Sequence, residues 1–180
     1  MSVLLTDALR GEIWGLFDRA PSKLFLLEQI PPDKLENAKQ SYAPMMRDDE
    51  TVIALYDDTV FGSAKDGFLL TTKRLYGKNI TERASFLEVA EITHFSFERK
   101  FLKSNILAHT DTRVLAKEIT AEEGAAALFQ ALQQTVTLLQ HLLPVARQQA
   151  VVRCDSCGAA GGGPVCEYCG SPVRERRNAT

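Results

Sequence analysis

The spacing of apolar positions divides the chain into a helical beginning, a strand-rich middle and a helical end. A first helix begins after a cap at Thr6 or Asp7 and stops at Pro21. Its apolar residues recur at helical spacing: Leu9, Ile13, Leu16 and Phe17. The apolar run 23–30 does not distinguish strand from helix, and a second short helix is predicted over 34–41. The first 44 residues are therefore predicted to form a helical segment.

From Thr51 onward, short apolar runs are separated by turn residues, which is typical of strands. The predicted strands cover 52–56, 68–72, 74–76, 80–86, 92–98, 101–109 and 112–119. A polar loop over 57–67 joins the first two strands, and a hairpin turn is predicted at residues 77–79. Six or seven short strands at this spacing favour a barrel or a sandwich.

The helical period returns after Thr120, which forms a Thr-x-x-Glu capping box with Glu123. The apolar positions that follow at helical spacing are Leu128, Leu132, Val136, Leu139 and Leu143. Pro144 ends this pattern, and residues 145–153 form a connector or a helical continuation. One amphipathic helix therefore closes the strand-rich region, and the predicted fold class is α+β.

All four cysteines lie near the end of the chain, in two Cys-x-x-Cys-Gly pairs: Cys154 with Cys157, and Cys166 with Cys169. Two residues between paired cysteines let a turn point both thiolates to one side, and the second pair completes a tetrahedron. Four thiolates fill the coordination shell of Zn²⁺, so one structural zinc ion is predicted. Zinc binding, typically on the order of 10 kcal/mol, would fold a module that has few apolar residues of its own.

Two other chemistries are open to these cysteines. A redox Cys-x-x-Cys pair normally opens a helix in a thioredoxin-like βαβ unit, and neither pair has that setting. Disulfides need an oxidising compartment, in which four cysteines allow three pairings. The sequence has no secretory leader pattern and no apolar run long enough to span a membrane, so we expect a cytoplasmic protein with reduced thiols.

The composition is that of an ordinary globular protein with almost balanced charge. Of 180 residues, 45% are hydrophobic; the net charge is −2 and the isoelectric point is about 5.9. A chain with this balance has no global positive field to attract nucleic acid or an anionic membrane. Any such contact must be local.

Over residues 55–76, an apolar strand, a polar loop, a glycine, a hydrophobic strand ending in threonine and a basic residue follow one another. With Ala90-Glu91-Ile92 downstream, this order resembles the bacterial PH-like domains, related in outline to GRAM domains, over about 45–143. The resemblance implies a curled β-barrel of six or seven strands closed by one helix, in a recruitment, lipid-binding or oligomerising module. The cysteine module separately resembles the zinc ribbons that many bacterial proteins append to such domains.

The predicted organisation is a helical N-terminal segment (1–44), a PH-like domain (45–144), a linker (145–150), a zinc ribbon (151–174) and a basic tail (175–180). We expect a non-enzymatic binding or scaffolding module that acts through a protein partner or through self-association. Trp14 and Phe17 precede the PH-like domain. We expect them either to pack on that domain or to form an interface. No catalytic residue and no small-molecule substrate are predicted.

Two other partners are weaker alternatives. Nucleic acid would be bound by the ribbon and its arginine tail, where Tyr168 is the one aromatic residue for base stacking. Phospholipid would be bound through the first hairpin, which offers Lys65, Lys73, Lys78, Arg74 and Arg83. Asp57 and Asp58 would repel a phosphate, and as a pair they are interpreted as solvated turn residues and not as a cation site.

The histidines do not indicate an active site. His94, His109 and His141 have no Ser, Cys or carboxylate beside them in a recognisable catalytic motif. His94 lies next to Phe95 in an apolar strand and is interpreted as a packed strand residue.

Overall fold

The computed structural model of the chain describes residues 7–79, 82–100, 103–120, 124–149, 152–153, 156, 160–161, 169 and 171. The chain divides into two compact units, Met1–Gln140 and His141–Thr180. The first unit contains two antiparallel sheets together with helices. The α+β class predicted from the sequence is confirmed.

The larger sheet has five strands, which neighbour one another in chain order. They are β1 (Leu24–Leu26), β2 (Val52–Asp57), β3 (Gly67–Thr71), β4 (Arg74–Lys78) and β5 (Ser85–Glu88). All neighbouring pairs are antiparallel. The ambiguous apolar run 23–30 supplies β1 and a short 3-10 turn, so the predicted helical segment also contributes a strand to this sheet.

The smaller sheet has three antiparallel strands, β6 (His94–Arg99), β7 (Ser104–His109) and β8 (Val114–Ile119). In the described part of the chain, strand pairing gives two separate antiparallel sheets, so the strands of the predicted curled barrel do not close into one continuous sheet. The reason lies in the 3-10 turn Val89–Glu91, which ends β5 and interrupts the ladder before β6 begins.

The described residues form three α-helices besides the strands: α1 (Asp7–Leu16), α2 (Pro32–Tyr42) and α3 (Ala125–Gln149). Both predicted N-terminal helices are present, and α2 packs against β3 and β4. Helix α3 continues past Pro144 to Gln149, which is the helical continuation that the sequence left open for residues 145–153, through Ala, Arg and Gln residues of high helix propensity. The predicted caps at Thr6 and Glu123 lie outside the described residues, as do Ile80 and Phe101 of two predicted strands.

The two sheets and α3 surround an apolar interior lined by Phe68, Leu75, Phe95, Ile106, Leu115 and Leu132. Strand β4 approaches β8 at Gly77, where an added Cβ would lie 2.9 Å from Leu115 Cδ2. Gly77 pairs with Ser85 inside the larger sheet. The predicted hairpin turn at this glycine is therefore wrong, and its missing side chain leaves room for Leu115.

Candidate functional site

The loop 57–67, between β2 and β3, is organised around the carboxylate of Asp57. Its Oδ1 accepts hydrogen bonds from Thr59 N at 3.0 Å and from Ala64 N at 3.1 Å. Its Oδ2 accepts one from Lys34 Nζ of α2 at 2.6 Å. Burial opposes ionisation of Asp57, but the hydrogen bonds from Lys34 and Thr59 outweigh it and hold the pKa below its usual range. Asp57 is thus an internal anion that fixes the loop to α2.

Two further carboxylates tie the same loop to β8. Lys117 Nζ lies 3.1 Å from Asp58 Oδ2 and 3.0 Å from Asp66 Oδ1. All three side chains are buried, and Asp58 also accepts a hydrogen bond from Thr120 Oγ1 at 2.7 Å. The interpretation of Asp57 and Asp58 as solvated turn residues is therefore wrong. Their charges face lysines inside the protein.

Two large apolar side chains project from this braced loop into solvent. Val60 is 83% exposed and Phe61 is 96% exposed. The backbone reverses directly after them, with φ of 70° at Gly62 and 54° at Ala64, in the left-handed region that favours glycine. We call Val60 and Phe61 the apolar tip. The loop presents both side chains outward while its carboxylates point inward.

Lysine ammonium groups contact the carbonyl oxygens on both sides of the apolar tip. Lys23 Nζ donates to Thr59 O at 3.1 Å, and Lys34 Nζ donates to Gly62 O. Lys65 lies exposed on the same loop. The apolar tip is therefore flanked by cations at its base.

The apolar tip was not predicted from the sequence. Its signal was a pair of adjacent large apolar residues inside an otherwise polar loop. Scattered exposed apolar residues are normal, so this pair could be recognised only once the exposure of both side chains was known.

A second buried network lies around Glu50, which is 6% exposed. Glu50 Oε2 accepts from Thr71 Oγ1 at 2.6 Å, and Oε1 accepts from Tyr76 Oη at 2.9 Å. Arg74 Nη1 lies 3.5 Å from Glu50 Oε1, while its Nε donates to Glu88 Oε1 at 2.8 Å. Burial raises the pKa of Tyr76 to about 12. These groups already have partners within the protein, so the network is structural.

The lysines and arginines predicted to bind phosphate differ in whether they are exposed or already bound within the protein. Arg74 is 4% exposed and belongs to the Glu50 network, so its predicted availability to a phosphate is wrong. Lys73 forms an ion pair with Asp49, and Lys78 Nζ donates to Ser41 Oγ at 3.2 Å. Of the predicted cations, Lys65 and Arg83 are exposed.

Two of the histidines stack on the surface of the smaller sheet. The rings of His94 and His109 lie 4.3 Å apart between centroids and are inclined by only 4°. His94 is exposed, so its interpretation as a packed strand residue is wrong. His109 Nε2 lies 2.8 Å from Ser96 Oγ, and His94 Nδ1 lies 3.2 Å from Thr93 Oγ1. Hydroxyl groups thus orient both rings.

Three of the predicted zinc ligands, Cys154, Cys157 and Cys166, lie outside the described residues; Cys169 is described and exposed. Strands β9 (Val152–Arg153) and β10 (Ala160–Gly161) pair in antiparallel fashion. Within the described residues, no group of three or more His, Cys, Asp or Glu could hold a metal ion. The zinc site therefore stays a prediction.

Of the residues predicted to bind nucleic acid or to form an interface, only some lie in the described part of the chain. Tyr168 and the arginine tail, on which the nucleic-acid alternative depends, lie outside the described residues. Phe17 is buried, and Trp14 is half-buried in a groove beside Leu24 and Leu26. In the described part of the chain, no helix combines the length and apolar character needed to cross a bilayer.

Comparison with known proteins gives one solved structure of similar outline. It is a DUF1696 family protein with a pleckstrin-homology domain from Shewanella loihica PV-4. The match covers 59% of this chain and 96% of that protein, at 22% sequence identity and a TM-score of 0.39. No family model matches the sequence, and no curated protein matches it either. At this identity and TM-score, the match does not identify a family for the chain.

Proposed function

We propose that this chain is a non-enzymatic binding module in which a PH-like domain presents the apolar tip to a partner. The observation that carries the proposal is the near-complete exposure of Val60 and Phe61 on a loop whose carboxylates are buried. Adjacent exposed apolar side chains gain nothing for the free protein, whereas they stabilise a complex in which they are covered.

The bracing of the loop supports this role. Asp57 is bound to Lys34 of α2, and Asp58 and Asp66 are bound to Lys117 of β8, before any partner arrives. A loop already held in one conformation loses little conformational entropy when it binds. The buried ion pairs thus favour a permanently presented contact element.

The PH-like assignment is supported by the resemblance over about 45–143 and by the order of elements. Seven strands, β2–β8, are followed by the helix α3. The two sheets enclose an apolar interior against this helix. A PH-like domain with its strands divided between two sheets is the proposed scaffold for the apolar tip.

We also propose that the C-terminal module is a structural zinc ribbon in a reducing, cytoplasmic setting. Cys154, Cys157, Cys166 and Cys169 would hold the ion, which would supply folding energy and no reaction chemistry. Support comes from the pairing of β9 with β10, which joins the segments before and after the first cysteine pair. A zinc knuckle needs its chain to reverse in this way.

The sequence favours a protein partner or a second copy of the chain, and site-specific cross-linking in the native cells tests the binding role directly. A photoreactive benzoylphenylalanine replaces Phe61 in one variant and Val114, which is 54% exposed on β8, in another. We expect adducts, whether to protein or to lipid, from position 61 and few from position 114. Equal labelling at both positions, or none at position 61, would contradict a contact role for the apolar tip.

A further inference from the structure

We propose that His94 and His109 together bind a late first-row divalent metal ion, such as Cu²⁺, Ni²⁺ or Zn²⁺, on the outer face of the smaller sheet. The site uses neither the apolar tip nor the four cysteines, and it does not depend on the function proposed for either. Two observations carry the inference. The two imidazole rings face each other across neighbouring strands, and a threonine hydroxyl sets which nitrogen of His94 carries the proton.

The register of the smaller sheet brings the two histidines together. His94 of β6 is the direct partner of His109 of β7. Residues directly opposite each other in an antiparallel pair have Cβ atoms about 4.5–5.5 Å apart. Because successive side chains alternate between the two faces of a strand, His94 lies on the exposed face while its neighbour Phe95 is buried on the other. The pair is therefore open to an ion from solvent.

The two rings are close enough to share one ion once one of them rotates. Their centroids lie 4.3 Å apart. Metal–nitrogen bonds of about 2.0–2.1 Å let an ion join two nitrogens that are up to about 4 Å apart. In the parallel stack the lone pairs point side by side, so one ring must turn about its Cβ–Cγ bond for both lone pairs to meet at the ion. His94 can make this turn because it is exposed.

The hydrogen bonds of Thr93 fix the tautomer of His94. Thr93 Oγ1 donates its one hydrogen to the carbonyl oxygen of His109, at 3.1 Å. The same Oγ1 lies 3.2 Å from His94 Nδ1, and because its hydrogen is already used, the ring is the donor in this contact. Neutral His94 therefore carries its proton on Nδ1 and its lone pair on Nε2, which is the form in which imidazole binds a metal.

Ser96 gives His109 a matching partner. Ser96 Oγ lies 2.8 Å from His109 Nε2. When this oxygen accepts a hydrogen bond from Nε2–H, the lone pair of His109 is on Nδ1. Metal-binding histidines usually donate their other ring N–H to a polar group that holds the ring in place. Thr93 and Ser96 occupy that position for the two rings.

The ligands and their surroundings indicate the kind of ion. Imidazole suits Cu²⁺, Ni²⁺ and Zn²⁺, whereas Ca²⁺ and Mg²⁺ prefer oxygen ligands. Within the residues that the structure describes, no group of three or more His, Cys, Asp or Glu could hold a metal. We therefore expect water to complete the coordination shell. Arg113, which precedes the β8 partner of His109, is paired with Glu91 at 3.1 Å, so its charge is offset.

The test is a titration of the full chain with Ni²⁺. The chain carries no histidine tag, is kept reduced and retains the metal with which it was purified. Calorimetry measures the affinity, and NMR locates the site, because bound Ni²⁺ is paramagnetic in a shell of imidazole and water and broadens the signals of nearby amides. We expect one Ni²⁺ per chain, with the first broadening at residues 93–96 and 108–110.

Variants separate the pair from other ligands. His94→Gln and His109→Gln should each lower the affinity for Ni²⁺ by more than about tenfold, the loss that follows even when only an outer partner of a ligand is removed. Thr93→Val keeps both ligands but removes the hydroxyl that orients His94, and it should cost about tenfold. His141→Gln is the matched control: it removes another exposed histidine, on α3, and should leave the affinity unchanged. All four variants should keep the circular dichroism of the unmodified chain.

A double variant gives the background against which the pair is judged. His94→Gln combined with His109→Gln retains His141 and measures the affinity of a solitary histidine. Binding that is tighter in the unmodified chain than in this variant, with broadening at the pair, supports the site. Equal affinity of the two chains, or broadening centred elsewhere, overturns it. A loss in His141→Gln as large as that in His94→Gln overturns it as well.

Discussion

Asp57 and Asp58 are neighbours in the chain, yet their carboxylates bind lysines from two different elements. Asp57 Oδ2 lies 2.6 Å from Lys34 Nζ of α2, and Asp58 Oδ2 lies 3.1 Å from Lys117 Nζ of β8. The loop that carries the apolar tip is therefore clamped from two sides. The loop is therefore held in one conformation by α2 and β8 together.

Replacing Lys117 should destabilise the protein strongly. Lys117→Met leaves Asp58 and Asp66 buried without their cation, and removing one member of a buried ion pair typically costs about 3–5 kcal/mol. Urea unfolding followed by circular dichroism measures the loss. Lys103→Met is the control, because Lys103 pairs with Glu118 at the surface and should hardly change the midpoint. Equal midpoints for the two variants would contradict the structural importance of the buried cluster.

Gly67 should not tolerate a side chain. Its φ is 146°, and a Cβ added there would overlap the carbonyl oxygen of Tyr56 on the neighbouring strand. We expect Gly67→Ala to lower the free energy of unfolding by about 1–3 kcal/mol. Gly11→Ala in α1 has free space around it and should stabilise by up to about 1 kcal/mol. Thermal unfolding of both variants checks the contrast, and a neutral Gly67→Ala would show that the start of β3 can relax.

The ion pair between Lys34 and Asp57 should protect the protein against acid. The pKa of Asp57 is lowered in the fold, so its stabilising contribution is present above its ordinary pKa of 3.8 and is lost as the pH falls through the lower folded value. In Lys34→Met, burial should raise the pKa of Asp57, and acid unfolding should begin at a higher pH. Circular dichroism across an acid titration measures this, with Lys39→Met on the same helix as control. An unshifted acid midpoint in Lys34→Met would count against the ion pair.

Two buried tyrosines should make the fold sensitive to alkali. Burial raises the pKa of Tyr76 to about 12, and it also raises that of Tyr42, with Asp57 and Asp66 adding to the effect. A raised pKa leaves stability unchanged below the ordinary value of 10.0 and lowers it as the pH rises further. Denaturant midpoints should therefore fall above pH 10, alongside tyrosinate absorbance.

The same two tyrosines should respond in opposite ways to loss of the hydroxyl at neutral pH. Tyr76→Phe removes a hydrogen bond to the buried Glu50 and should destabilise by about 1–3 kcal/mol. Tyr42→Phe removes a buried hydroxyl without a hydrogen-bond partner in the described part of the chain, and it should be neutral or stabilise by about 1 kcal/mol. Destabilisation by both variants would mean that Tyr42 has a hydrogen-bond partner such as a bound water.

Metal removal tests the zinc ribbon. Metal analysis of the reduced full chain should give one zinc per molecule, and a chelator should abolish the dispersion of amide signals from residues 151–174 in NMR spectra. Cys157→Ser should lose the metal, whereas Ser156→Ala, at a neighbouring position, should keep it. Retention of zinc in Cys157→Ser, or no zinc in the unmodified chain, would overturn the four-cysteine assignment.

Periodicity alone located most elements, because backbone geometry fixes which side chains share a face of a helix or alternate across a strand. The helix over 34–41 and the strands before and after the 57–67 loop were predicted to within a few residues. Gly77 and Pro144 are residues that usually interrupt elements, yet β4 includes Gly77 and α3 continues past Pro144. Gly77 is explained by Leu115 of another sheet, which no local pattern contains.

The sequence by itself determined the α+β class, the approximate positions of the strands and helices, and the prediction of four zinc ligands, all of which depend on short-range spacing. Only the tertiary structure decided that Asp57 and Asp58 are buried while Val60 and Phe61 are exposed. The physical reason is that a carboxylate can be buried only where a cation meets it, and Lys117 lies 59 residues from Asp58 along the chain. Once both lysines are in place, the charges turn inward and the apolar pair is left facing outward.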